Sequence, residues 1–463
     1  MNPVNTKVCV VGIWHLGAVT SACLAELGYS VVGVESNPEK AKKLNEGVAP
    51  LFEPGLSELM RKNLGQGRLL YTSDLPAAVK QAQFVFLAFD TPVNDDDEVE
   101  LLEVYKAALD ISEWLAEDAT VIVSSQVPVG TCEHIASAIR DFDSRRNMHI
   151  GCVPENLRLG KAIECFLKPA MIVIGADDEA TLDRLQQFYS VLPAPKLLMN
   201  LRTAEMTKHA LNAFLATSVS FIGELANLCD EVGADAVQVA AALRHDERIG
   251  PHARIEPGGL GFAGATLARD VKVLRHLGET CGCEPLLFDA VWYVNERQKG
   301  LVARKLKKIF GDVSGLRLGV LGLTYKAGTS TLRRSVALEV IRDLVGQGAA
   351  VKAFDPKADL AELPPLAGLE LCPDAYSAAN DSDALILLTD WPEFRSLDFV
   401  RIRSLMRRPV LIDTKNMLPY SQLVGLGFDY AGVGRGHLAK TVPILATKAL
   451  ARAAVATARK AQH

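Results

Sequence analysis

The 463-residue sequence has no apolar run of membrane-spanning length, no marked excess of either charge and few aromatic side chains. A bilayer-crossing helix needs roughly 20 consecutive apolar residues, so no membrane anchor is expected. Lys and Arg number 50 against 55 Asp and Glu, a formal net charge of −5. No basic face emerges before the C-terminal tail, so the electrostatic footprint of a nucleic-acid binder is missing. The first six residues lead straight into an apolar stretch, so no secretory leader is expected. Cysteine is sparse too. The nine cysteines are odd in number and scattered, as expected of small core residues in a reducing, cytoplasmic compartment. The one close pair, Cys281-Gly282-Cys283, reads as helix-end cysteines, and no metal site is expected.

What is present is a repeating pattern of short apolar strands and helical stretches. Hydrophobic residues make up 49% of the chain, enough for two or three cored domains. Val8–Val11 is a buried strand, Leu16–Leu27 a helix and Ser30–Glu35 a second strand. That βαβ opening predicts a parallel sheet with helices on both faces. Phe84–Ala88, Thr120–Ser124 and Met171–Ile174 read as further strands. From about Arg202 to Val232 the chain has little Gly or Pro and a broad apolar helical face. This predicts a long central helix that also serves as a dimer seam. After Gly315 the strand pattern restarts at Arg317–Leu323, Val351–Asp355, Ala384–Leu388 and Pro409–Asp413. The expected fold is therefore α/β: two Rossmann-like, doubly wound parallel-sheet domains joined by a long central helix. The expected boundaries are 1–198, 199–300 and 301–463. An Ala-rich, basic surface helix is expected from Lys440 to His463.

Ordered motifs run along nearly the whole chain. They are Glu53-Pro54-Gly55-Leu56, Thr91-Pro92, Val127-Pro128-Val129-Gly130-Thr131, Pro154-Glu155-Asn156-Leu157-Arg158-Leu159-Gly160, Ala204-Glu205-Met206-Thr207-Lys208 and Asp246-Glu247-Arg248-Ile249-Gly250. The loop Pro257 to Asp270, the pair Arg333 and Ser335, and Asp413-Thr414-Lys415-Asn416 complete the series. Together they resemble the UDP-glucose/GDP-mannose dehydrogenases. That family oxidises an alcohol to an acid through a thioester. The resemblance implies NAD as cofactor, a UDP- or GDP-linked sugar as partner and a homodimer, with neither nucleic acid nor membrane involved.

For the cofactor, Gly12-Ile13-Trp14-His15-Leu16-Gly17 stands after a strand and before a helix, where the dinucleotide fingerprint belongs. Gly12 allows the tight turn and Gly17 close helix packing. Trp14 replaces the glycine that lets backbone approach the pyrophosphate. Glu35 has the spacing of the acid that bonds the adenosine ribose and would repel a 2′-phosphate. Thr91 and Gln126 are expected to line the same site, and His15 to be a loop or core histidine.

For the reaction, Thr266 occupies the place of the family's cysteine, four residues before Asp270. A hydroxyl is a poor acyl carrier beside a thiolate. Set against the family, the helix lysine reads as Ser218, the asparagine five residues on as Gly223, the threonine before Val127 as Gln126 and the second glutamate as Leu159. The chain thus reads as a divergent member lacking the catalytic cysteine and lysine. Asp270 and Glu155 remain as a carboxylate pair for proton transfer, and Thr266 could hydrogen-bond a substrate hydroxyl. Lys208 and His209 read as a solvated helix face. The resemblance assigns substrate contacts to Lys208, Asn212, Arg248, Gly261, Gly264, Lys326 and Arg333. Two outcomes stay open: an NAD-dependent oxidoreductase limited to one two-electron step, or a non-catalytic binder of a nucleotide sugar or partner.

Overall fold

A computed structural model describes residues 2–91, 99–142, 148–262 and 264–436. Pro92, Ala263 and the tail helix expected over Lys440 to His463 lie outside the described residues. Two compact units are present. The first comprises Met1–Phe214 with Ala265–Phe288, and the second Leu215–Gly264 with the residues from Asp289 on. The stretch expected as a middle domain, 199–300, is divided between them.

The first unit is built on β1 (Lys7–Val11), β2 (Ser30–Val34), β3 (Leu69–Thr72), β4 (Phe84–Leu87), β5 (Thr120–Val123), β6 (His149–Cys152), β7 (Ile172–Gly175) and β8 (Lys196–Met199). They form one eight-stranded sheet in the order β3-β2-β1-β4-β5-β6-β7-β8. Every pairing is parallel except β6 with β7. Alternate side chains serve opposite faces. Val8, Val10, Phe84 and Phe86 enter one buried cluster, while Cys9, Val11, Val85 and Leu87 enter another. Continuous apolar strands of this kind need cover on both sides. Each buried Phe contributes about 2–3 kcal/mol of burial free energy. Strand order reverses between β1 and β4, which opens a crevice beyond their carboxyl ends, where ligands bind in open α/β sheets.

The second unit carries β9 (Arg317–Leu321), β10 (Ala350–Phe354), β11 (Leu369–Leu371), β12 (Ala384–Leu387), β13 (Val410–Asp413) and β14 (Asp429–Gly432). Its sheet runs β11-β10-β9-β12-β13-β14 and is parallel throughout.

The helix Leu201–Val232 is 32 residues long, and the division between units falls within it. Its first turn belongs to the first core through Leu201 and Ala204. Its last turns enter the second core through Ala226 and Cys229. Among the described residues it is the one helix long and apolar enough to cross a membrane by length and composition, a test that the core helix of a protein also passes. Its most apolar window is 33% buried. Glu205 in its first turns accepts hydrogen bonds from the backbone N–H of Gly130 at 2.6 Å and Cys132 at 2.8 Å. These bonds tie the first turns of the helix to the loop after β5.

Candidate active site

The turn after β1 has the backbone that its glycines predict. Gly12 has φ +95°, and a Cβ there would sit 3.0 Å from the Phe89 ring. A Cβ on Gly17 would sit 2.0 Å from the Gly12 carbonyl oxygen. Both positions therefore need glycine for this turn to close. The helix His15–Glu26 starts directly after Trp14, whose side chain is not packed away: the residue is 50% exposed. His15 is a buried structural histidine, as expected. Its Nε2 lies 2.9 Å from Glu53 Oε2, and Glu53 also accepts from the backbone N–H of Gly160 and Ala162, both at 2.8 Å. Glu35 follows β2, half-buried, and accepts from the Asn37 N–H at 3.0 Å. The glycine turn, the helix N-terminus and the acid at the end of β2 fit the adenosine half of a dinucleotide.

Asp90 was not foreseen. It follows β4 at the crevice, and its Oδ2 accepts from the Leu16 N–H at 2.9 Å, at the start of the same helix. The only sequence signal was an acidic residue just ahead of Thr91.

Glu155, Thr266 and Asp270, the residues expected at the reaction centre, lie within the first unit, on the helix Gly264–Thr280 and the loop after β6. Thr266 is exposed in the first turn of Gly264–Thr280, whereas Asp270 one turn later is wholly buried. Asp270 is closed in by donors. His209 Nδ1 lies 2.8 Å from its Oδ1, Asn212 Nδ2 donates to its Oδ2 at 2.5 Å, and Gln126 Nε2 donates to the same carboxylate. The Gln126 amide orientation is fixed because its Oε1 accepts from Arg269 Nη2. Arg269 Nη1 donates to the Thr91 carbonyl at 3.1 Å and to Thr91 Oγ1 at 3.0 Å. Thr91 Oγ1 in turn donates to the Gln126 carbonyl at 2.8 Å. Burial pulls the Arg269 guanidinium below its usual value, against the fields of Asp270, Glu155 and Asp90. His209 Nε2 donates to the Val127 carbonyl at 2.9 Å, which fixes one proton there.

Three expectations change here. Asp270 is the buried centre of a donor network and not an open base. Thr91 and Gln126, expected on the cofactor, are committed to Arg269 and Asp270. Lys208 and His209 do not form a solvated face: the Lys208 side chain is 6% exposed and that of His209 is 1% exposed. Lys208 Nζ donates to the Glu155 carbonyl and to Asn156 Oδ1 at 3.3 Å, and it lies 3.8 Å from Glu155 Oε1. A lysine and an asparagine one helical turn apart therefore do meet the two carboxylates. Ser218 and Gly223, read as their replacements, lie in the second unit, where a Cβ on Gly223 would sit 3.6 Å from Gln298. Glu155 keeps a 21% exposed side chain. Its Oε2 accepts from the Leu157 N–H at 2.5 Å.

In the second unit the glycine-rich loop is stapled to the segment after β13. The Gly259 N–H donates to the Thr414 carbonyl at 2.5 Å, and Asn416 Nδ2 donates to the carbonyls of Pro257 and, at 2.8 Å, Val433. A Cβ on Gly258 would sit 2.8 Å from the Lys415 carbonyl oxygen, and one on Gly261 2.3 Å from Asn295 Oδ1. Gly264 begins the following helix. Lys415 is half-buried, and burial pulls its ammonium below the usual value while Asp390 and Asp413 oppose. Lys326, in the segment after β9, is half-buried, and its carbonyl accepts from Thr329 Oγ1 at 3.0 Å. Arg333 is exposed, with its N–H on Thr331 Oγ1 at 3.1 Å and Glu362 Oε2 at 3.2 Å. The Arg248 side chain is 88% exposed and forks onto Asp246 at 2.7 and 2.9 Å.

Three family models of the UDP-glucose/GDP-mannose dehydrogenases match the chain in series: the NAD binding domain over residues 6–192, the central domain over 202–297 and the UDP binding domain over 319–420. The chain belongs to this family. It is 35% identical over 440 residues to UDP-glucose 6-dehydrogenase TuaD of Bacillus subtilis, covering 94% of this chain and 95% of that one. It is 36% identical to UDP-glucose 6-dehydrogenase of Rhizobium meliloti, covering 93% and 99%. A UDP-glucose dehydrogenase structure from Pyrobaculum islandicum superposes with TM-score 0.82 at 31% identity, covering 95% of this chain and 98% of that one. NAD is the cofactor of the family's first domain.

Proposed function

We propose that this dehydrogenase oxidises a CH–OH group of a UDP- or GDP-linked sugar in a single two-electron step. The observation that carries the reading is Thr266, an exposed hydroxyl in the first turn of Gly264–Thr280, where the resemblance puts the family's cysteine. Without a thiol the aldehyde or keto product has no acyl carrier and leaves at that level. NAD, when bound, supplies the hydride acceptor. Gly12, Gly17 and Glu35 are the residues that would hold it. Glu155 is the partly open carboxylate, and Lys208 beside it provides positive charge for a developing alkoxide. Asp270 orders Asn212, Gln126 and His209 around that centre. Thr266 would bond a sugar hydroxyl. Gly261, Gly264, Lys326, Arg333 and Arg248 are assigned to the nucleotide sugar, with Lys415 added to them. Nine free thiols support a reducing, cytoplasmic setting. The buried lysine–carboxylate pair favours an enzyme over a non-catalytic binder. Purified protein with NAD and a panel of UDP- and GDP-sugars is expected to generate NADH absorbance. Thermal stabilisation by a sugar nucleotide with no turnover would support the binder instead.

We also propose a homodimer through the long helix. Phe214, Phe221 and Leu228 are spaced seven residues apart, so they share one helix face, and they are 72%, 53% and 59% exposed. Phe221→Glu is expected to convert a dimer to a monomer in light-scattering chromatography. A wild-type monomer would contradict this.

A further inference from the structure

We propose that Asp90 sets the affinity for NAD by acting as a competing anion at the seat of the dinucleotide pyrophosphate. The inference rests on the NAD-binding domain and not on the sugar or on the number of oxidation steps. A phosphate bound at a helix N-terminus is held by backbone N–H groups and by the positive end of the helix dipole. In this chain the Leu16 N–H, the second residue of His15–Glu26, already donates to the Asp90 carboxylate at 2.9 Å. Asp90 reaches it from the end of β4, across the point where strand order reverses, which is where a dinucleotide crosses such a sheet. A pyrophosphate arriving there meets a like charge on an N–H it would use. Asp90 keeps part of its surface exposed at the end of β4.

The surroundings make this competition depend on pH. Crowding by neighbouring protein holds the Asp90 carboxyl above the usual carboxylate range. The Leu16 N–H and the charges of His15 and Arg269 oppose that rise, and Glu155 adds to it. Protonation of Asp90 as pH falls neutralises it, which removes the repulsion. NAD affinity therefore rises as pH falls and declines as pH rises.

Asp90→Asn and Asp90→Ala separate charge from occupancy. The asparagine can still accept from Leu16 but carries no charge, and the alanine frees the N–H as well. Calorimetry with NAD and with ADP-ribose, at pH from about 8 down into the carboxylate range, gives the dissociation constants without turnover. Asp90→Ala is expected to bind both ligands about tenfold more tightly than wild type at the upper pH, the scale of one charge at a helix end. Asp90→Asn is expected to fall between the two and to lose the pH trend. Adenosine, which has no phosphate, is expected to bind all three proteins alike. Equal constants for the three proteins, no binding by any of them, a pH trend retained in Asp90→Asn, or an equal gain for adenosine would each overturn the proposal.

Discussion

Asp270→Ala is expected to destabilise the protein by about 3–5 kcal/mol, the cost of stripping one partner from a buried charged network. Asp270 is wholly buried, and Gln126, Asn212 and His209 all point hydrogen-bonding groups at it. Without the carboxylate those groups have no acceptor, and the buried Arg269 loses the nearest negative charge, 4.0 Å from its Nε. Asp270→Asn keeps the volume but turns an acceptor into a partial donor facing donors, so it is also expected to be destabilising. Thr266→Ala, on the same helix but exposed, is expected to change stability by no more than about 0.5 kcal/mol. Thermal melts of the three variants check this. Similar melting temperatures for Asp270→Ala and Thr266→Ala would contradict the closed network.

Lys208→Met is expected to lower kcat by about a hundredfold or more, the usual scale for losing a charge that stabilises a developing oxyanion. Lys208 Nζ is the cation nearest the open carboxylate of Glu155, at 3.8 Å from Oε1. It also bonds the Glu155 carbonyl and Asn156, so the variant needs a companion. Lys208→Arg retains positive charge and is expected to recover part of the rate. A fall in stability with kcat unchanged would reduce Lys208 to an anchor for the loop after β6.

Much of this arrangement could be read from the residues. Continuous apolar runs at Val8–Val11, Phe84–Ala88 and Arg317–Leu323 matched strands because both faces of a parallel sheet are buried. Gly12 and Gly17 were legible because only glycine suits the turn they make. The short strands β3, β6, β8, β11 and β14 were not. Leu197 and Leu198 on β8, for example, are exposed, so hydropathy gives no buried signal there. Lys208 was misjudged for a different reason. Apolar periodicity marks which helix face is greasy, but it is silent on a charged face that another loop covers. The spacing of Lys208 and Asn212, one turn apart with His209 beside them, was the available clue. Asp90 left no periodic trace at all, because its role comes from a contact between segments 74 residues apart.

The amount of NADH formed per sugar nucleotide consumed tests the central claim most directly. With no thiol at position 266, one NADH per sugar and an aldehyde or keto product are predicted. Two NADH per sugar, with a uronic acid as product, would show that the chain completes the oxidation without the sulfur and would contradict the account.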